Sequence, residues 1–199
     1  MLEIVLIRHG KIIGAPNVYY GATDYTLSEE GRSQAIAGGL HLKNENFDRI
    51  YCSPLVRATE SMRLFCDAAN IDCSGALYDE RLREMDFGIF EGKSYNYILE
   101  NYPQITQKLE KDWLNFNPPS GERPGGFIER VAEFFTQLQG DSSGKVLIFC
   151  HAGVIRAAIC SVLHIPCDAQ SFWRYEIDYC KITRLRVIDG YGMIVQLNA

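Results

Sequence analysis

Two short apolar runs set the strongest limit on how this chain can fold. Residues 3–7 (EIVLI) and 145–150 (KVLIFC) are nearly continuous in apolar side chains and contain β-branched members. A strand with one wet face alternates apolar and polar residues. A continuous run belongs to a strand covered on both faces, the usual condition of a parallel sheet between helices. The stretches between and around these runs carry helix and strand signals in alternation. Ser28 is a candidate N-cap for a helix carrying Ala35, Ile36, Leu40 and Leu42, and residues 48–52 read as a second strand. Ser53-Pro54 supplies an N-cap and a first-turn proline for a helix running to about Ala69. Residues 78–92 are charged and glycine-punctuated and read largely as loop. Helices are predicted over 94–101 and 104–113, separated by Pro103. After the loop NPPSGERPGG, helices follow over 127–138 and 154–163. The end changes character: residues 174–187 and 193–197 flank Asp189-Gly190, a hairpin signal with a DG turn. The expectation is one domain over residues 1–199, a three-layer α/β/α sandwich with a mostly parallel central sheet and a C-terminal hairpin.

With 199 residues, 47% of them hydrophobic, the chain can bury a substantial core and leaves little room for disorder. A net charge of −5 argues against broad nucleic-acid binding, which needs a basic footprint. It does not oppose a small phosphorylated substrate, because a few arginines can make a local positive pocket. No stretch approaches the roughly 18 apolar residues of a membrane helix. The start, MLEIVLIRHG, lacks the features of a signal peptide. Seven cysteines, an odd number without a CxxC pair, read as small buried hydrophobes of a reduced compartment. No zinc spacing is present. A cytoplasmic protein without metal or cofactor is expected.

The residues suited to chemistry fall at strand ends. Arg8-His9-Gly10 closes the first apolar run and His151-Ala152-Gly153 follows the other. In open α/β sheets ligands sit beyond the carboxyl ends of strands, so neighbouring strands would put both imidazoles in one crevice. The glycines allow sharp turns or a close approach to an anion. Arg57 lies in the first turn of a predicted helix, where the macrodipole disfavours a cation and a bound anion would compensate. Glu84, in LREMDFGIFEG, adds a carboxyl able to donate a proton. Taken singly, each has a structural reading: a satisfied histidine, a solvated arginine, a surface carboxylate. Together they form the set that phosphoryl transfer needs, a nucleophile, cationic clamps and a proton donor.

These segments resemble the histidine phosphatase, or phosphoglycerate mutase-like, superfamily. LIRHG, GATDYTLSEEGRSQA, IYCSPLVRATES, LREMDFGIFEG, PPSGERPGGFIERV with Glu122, and VLIFCHAGVIRA match its motifs in order through nearly the whole chain. Within the superfamily, the compact length and the ending HIPCDAQSFWRYEIDYCKITRLRVI look most like alpha-ribazole phosphatases. The resemblance implies that His9 attacks phosphorus as a neutral imidazole, with its other ring nitrogen bonded to a backbone carbonyl. Arg8, Arg57 and His151 would hold the phosphoryl oxygens without a metal, and Glu84 would serve as proton donor. The natural partner would be a small phosphorylated metabolite such as alpha-ribazole 5′-phosphate. Residues 11–25 and 84–123 would rim the pocket, with Tyr19, Tyr20, Tyr95, Trp113 and Phe116 available to stack on a ring. The alternatives are a phosphoglycerate mutase-type transfer, for which the chain lacks an inserted closing segment, and a catalytically silent sensor of a phosphorylated ligand. Where relatives carry Glu-Thr or Glu-Ser after RHG, this chain has Lys11-Ile12-Ile13, and Asn17 comes later than their asparagine. Cys150 stands where serine is common, and strand alternation points it away from His151, into the core.

Overall fold

Strand β1 (Leu2–Arg8) buries both of its faces: Leu2, Ile4 and Leu6 enter one core layer, Val5 and Ile7 the other. The computed structural model describes residues 1–14, 17–140 and 143–199. Strand β4 (Gly144–Cys150) pairs with β1 in parallel, in register from Leu2↔Gly144 to Arg8↔Cys150. It repeats the division, with Val146, Ile148 and Cys150 on the first side and Leu147 and Phe149 on the second. Cys150 is therefore core, as its alternation with His151 requires. Helices α5 (Pro124–Gly140) and α6 (Ala152–Val162) fill the first layer. Helix α2 (Val56–Ala69) fills the second through Ala58, Met62, Phe65 and Cys66, with α1 (Glu29–Leu40) packed along it. Helices thus cover both sides of the sheet. Burying a side chain such as Phe149 completely contributes roughly 2–3 kcal/mol, so the repetition along two central strands is a large stabilising term.

The sheet order is β3-β2-β4-β1-β5-β6, where β2 is Arg49–Cys52, β3 Leu77–Tyr78, β5 Ile182–Ile188 and β6 Tyr191–Gln196. The pairs β3-β2, β2-β4 and β4-β1 are parallel, and β1-β5 and β5-β6 antiparallel. The closing hairpin turns at Asp189 (φ 50°) and Gly190 (φ 83°), the two left-handed residues that a type I′ turn demands. Helices α3 (Tyr95–Asn101) and α4 (Pro103–Lys111) lie in the long excursion between β3 and α5. Among the described residues no helix is long and apolar enough to cross a membrane.

Several elements differ from the sequence reading. Helix α2 starts at Val56, and Ser53-Pro54 stays outside it. The Ser53 amide still donates to Phe149 O and its hydroxyl is drawn to His151, while Leu55, the N-cap, offers no side-chain bond. The orphan amide of Val56 is met from elsewhere, by Asp24 Oδ1 at 2.7 Å. Helix α1 begins at Ser28 as expected, its side chain accepting from the Gly31 amide, but Ile36 and Leu40 face solvent. Its buried contacts are Ala35, Gly38 and Gly39, and Leu42 lies beyond its end in the second core layer. Pro103 opens α4 instead of standing between two helices. The segment 78–92 is mostly irregular, with 3-10 turns at Glu80–Leu82 and Gly88–Phe90. Strand β3, only two residues long, and helix α7 (Ala169–Phe172) were not read from sequence. The stretch 174–181 is loop, and regular pairing begins at Ile182.

Candidate active site

Because β1 and β4 are neighbours in register, the residues that follow them, His9 and His151, meet beyond their carboxyl ends, with ring centroids 5.1 Å apart. His9 is 2% exposed and His151 fully buried. The His9 Nδ1 lies 2.7 Å from Gly10 O. A carbonyl can only accept, so this nitrogen carries the proton and Nε2 keeps its lone pair. The lone pair faces the site, where Arg57 Nε donates to it at 3.3 Å. Burial first, then the guanidiniums of Arg57 and Arg8, hold the His9 imidazole well below its ordinary pKa. His151 is lowered likewise, by burial, then Arg57 and His9. Its Nε2 pairs with Ser53 Oγ at 2.8 Å, while its Nδ1 is buried without a partner.

Two imidazoles that stay neutral when folded make stability depend on pH with a definite sign. In the unfolded chain they bind protons near pH 6.5; folded, they resist protonation until well below it. As pH falls through this window the unfolded state gains protons that the folded state does not. Stability is therefore expected to drop by about 1.4 kcal/mol per pH unit for each imidazole. Urea melts of the ligand-free protein between pH 6 and 5 check this; a flat profile would refute the buried neutral pair.

The cations are held in place by carbonyl groups. Arg57 is wholly buried, with Nη1 donating to Thr23 O at 2.9 Å and Nη2 to Gly21 O at 2.6 Å. This corrects the sequence reading of a misplaced helix-start cation awaiting an anion: two backbone carbonyls already compensate it. Their own segment is fixed by the Glu91 carboxylate, which accepts from the amides of Gly21, Ala22 and Phe87. Arg8 Nη1 donates to Ile177 O at 2.6 Å, its guanidinium lies 3.8 Å from the centre of the Tyr179 ring, and its buried Nε has no partner. Tyr20 accepts from Arg8 and shares a 2.8 Å hydrogen bond with Tyr179.

Glu84 reaches the same place from the loop after β3. Its Oε2 accepts from Gly153 N at 3.0 Å and its Oε1 from Met85 N at 3.1 Å. The approach to α6 requires glycine, since a Cβ on Gly153 would lie 2.2 Å from Glu84 Oε1. Gly10 serves a different contact, where a Cβ would lie 2.3 Å from Gly31 O and push α1 away. The path of residues 81–84 is held by Arg130, which donates to the carbonyls of Arg81, Arg83 and Glu84 while paired to Glu122 at 2.6 and 2.8 Å.

All five sequence candidates therefore converge. Arg8, His9 and Glu84 line a cleft of about 160 Å³ together with Val18, Tyr19, Tyr20, Phe87 and Trp173. Arg57 and His151 touch His9 from behind this opening. Of the expected aromatics, Tyr20 belongs to the cleft, and Tyr19 to both the cleft and an adjoining apolar cavity of about 180 Å³. Tyr95, Trp113 and Phe116 line that cavity alone. Of the expected rim, Ala15 and Pro16 lie outside the described residues; Asn17 is exposed with φ 61° and does not line the cleft. Sequence reasoning missed Ser53 as the partner of His151, and Tyr179 and Trp173 altogether. Ser53 was visible but assigned to a helix cap; Trp173 ends the four-residue helix α7 and Tyr179 lies in the loop after it, where no periodic signal exists. Among the described residues no group of three or more His, Cys, Asp or Glu side chains is placed to hold a metal ion.

Comparison with known proteins identifies the family. The sequence profile of the histidine phosphatase superfamily (branch 1) matches residues 4–199. Phosphoserine phosphatase 1 of Hydrogenobacter thermophilus is 26% identical, over 100% of this chain and 92% of its own length. Adenosylcobalamin/alpha-ribazole phosphatase of Salmonella typhimurium is 28% identical, over 100% of this chain and 96% of its own. The crystal structure of the alpha-ribazole phosphatase from Shigella flexneri superimposes with a TM-score of 0.85 at 25% identity, covering 99% of this chain and 96% of that one.

Proposed function

This chain belongs to the histidine phosphatase superfamily, and from that premise we propose that it hydrolyses a small phosphomonoester through a phosphohistidine on His9. One observation carries the reading: a buried imidazole whose unprotonated Nε2 faces Arg57, beside the Arg8 guanidinium and a second imidazole. The His9 Nε2 attacks phosphorus, forming the N–P bond as the ester P–O bond breaks. The departing alkoxide takes a proton from Glu84. Water then attacks the phosphohistidine, yields a proton to the Glu84 carboxylate, and the N–P bond breaks to release phosphate.

Charge on the phosphoryl oxygens is met by groups fixed before substrate arrives. Arg57 and Arg8 are already oriented by carbonyls, so little reorganisation is required of them. With Ser53 donating to Nε2 of His151, the proton of that ring sits on Nδ1, the buried nitrogen without a partner, which is free to donate to a phosphoryl oxygen. Every one of these donors belongs to the protein, and the proposed reaction needs no metal. The substrate we propose is alpha-ribazole 5′-phosphate, supported by the two relatives named for that activity and by the apolar cavity adjoining the cleft.

Leaving-group dependence tests the assignment. Alkoxides need a proton to depart, and p-nitrophenolate, a weak base, needs almost none. Glu84→Gln is expected to slow hydrolysis of an alkyl phosphate by on the order of a hundredfold or more, and that of p-nitrophenyl phosphate far less. Steady-state rates in buffer containing EDTA give both values. Equal losses on the two esters would remove Glu84 from the proton-donor role.

A further inference from the structure

We propose that the Tyr20 hydroxyl is a further phosphoryl-binding donor of the His9 site, and that Tyr179 is a positioning residue acting through it. The proposal rests on the phosphatase reading above and adds to it a neutral donor beside the two guanidiniums.

Both tyrosines lie against the nucleophile, with ring centroids 6.2 Å (Tyr20) and 5.9 Å (Tyr179) from that of His9. They come from segments distant in sequence and meet through a 2.8 Å hydrogen bond between their hydroxyls. Each sits between clamped neighbours. Before Tyr20, the Tyr19 amide donates to Lys93 O and the Tyr19 carbonyl accepts from Gly92 N. After it, the Gly21 amide donates to Glu91 and the Gly21 carbonyl accepts from Arg57. Around Tyr179, Asp178 N donates to Asn198 Oδ1 and Cys180 N to Arg8 O. The Arg57 guanidinium already lies over the Tyr20 ring, 5.5 Å from its centre. The polar contribution of Tyr20 to the cleft it lines with Arg8, His9 and Glu84 is its hydroxyl.

The two hydroxyls carry two protons, and the bond between them uses one. Tyr20 Oη also accepts from Arg8 Nη2 at 3.3 Å. A phosphoryl group beside Arg8 and His9 brings negative charge to this corner and decides which way the pair points. A lone pair turned towards that charge is repelled, and an O–H is attracted. In the favoured arrangement Tyr179 donates to Tyr20, and Tyr20 donates to a phosphoryl oxygen. That last bond is strengthened by the two donors behind it, one of them charged. Burial holds the Tyr20 hydroxyl above its ordinary pKa, so it keeps its proton at neutral pH. Asn17, three residues earlier in the same loop, is exposed and does not line the cleft, so it leaves this role open.

Tyr20→Phe removes one oxygen and leaves the ring packing in place. With an alkyl phosphate it is expected to lower kcat/KM on the order of thirtyfold, less than the loss of a sole oxyanion donor because both guanidiniums remain. Orthovanadate forms a five-coordinate complex that resembles the transition state, whereas inorganic phosphate resembles the ground state. Inhibition by vanadate is expected to weaken by about the same thirtyfold, and inhibition by phosphate by less than about threefold. Tyr179→Phe is expected to cost on the order of fivefold, and the double variant no more than Tyr20→Phe alone, because Tyr179 acts through Tyr20. Unchanged kcat/KM in Tyr20→Phe, equal weakening of vanadate and phosphate, or losses that multiply in the double variant would overturn the proposal. Should urea melts show that Tyr20→Phe folds poorly, Tyr179→Phe decides, and an unchanged ratio of vanadate to phosphate inhibition there overturns it. Unsubstituted protein that turns over no phosphomonoester and forms no acid-labile phosphoenzyme would instead overturn the phosphatase reading, and the proposal with it.

Discussion

His9→Ala is expected to lower turnover by on the order of ten-thousandfold or more, because in the proposed mechanism it removes the atom that forms the bond to phosphorus. No neighbouring group replaces it. The Nδ1 of His151 is buried without a partner, and its Nε2 is engaged by Ser53. The variant should remain folded, since the lost ring makes one local bond, to Gly10 O, and accepts one from Arg57. Its acid sensitivity should shrink, with one buried neutral imidazole where there were two. Rapid acid quench with labelled ester reads the central claim directly: label that is acid-labile and base-stable in the parent protein and absent from the variant. Label persisting in His9→Ala would displace His9 from the centre of the mechanism.

Arg57→Ala is expected to damage folding and catalysis together. As a surface cation in a first helical turn its loss would change stability by less than about 1 kcal/mol. Its actual setting differs: fully buried, it ties the carbonyls of Gly21 and Thr23 to His9. Removal leaves those carbonyls with one fewer donor and empties a space the size of the side chain. A cost of about 3 kcal/mol is expected, and a loss of on the order of a thousandfold in kcat/KM for the folded fraction. Arg57→Lys keeps the charge but cannot span both carbonyls and His9 at once, so most of the loss should remain. Urea melts read the first effect, and initial rates normalised to folded protein the second. A stability change within 0.5 kcal/mol, a margin of about the scatter among surface substitutions, would mean that the carbonyl tethers contribute nothing.

The parts of the site legible in the sequence are those carried by regular strands. EIVLI and KVLIFC announce buried strands, and each is followed at once by a histidine, so a crevice with two imidazoles follows from adjacency alone. The Asp189-Gly190 turn was legible for a similar reason, since only residues tolerant of positive φ suit it. What could not be read depends on distant irregular segments. Nothing near Ser53 says that a histidine 98 residues away will claim its hydroxyl. The cap lost by Ser53 is supplied by Asp24, 32 residues before Val56, which no local rule foresees. Tyr179 and Trp173 sit in loop or at the end of a four-residue helix, where hydrophobic periodicity carries no information.

The placement of β1 also governs when the protein can become active. Of the sheet's strands it comes first in sequence, yet its two sheet neighbours are the strands beginning at Gly144 and Ile182. Until those later segments are made this apolar strand has neither neighbour to pair with, and such long-range pairing makes folding slow relative to chains built from local contacts. The two histidines that share the crevice are separated by nearly three quarters of the polypeptide. A growing chain therefore carries His9 without the His151 that shares its crevice until β4 has been made, and the site waits for these distant strands to pair.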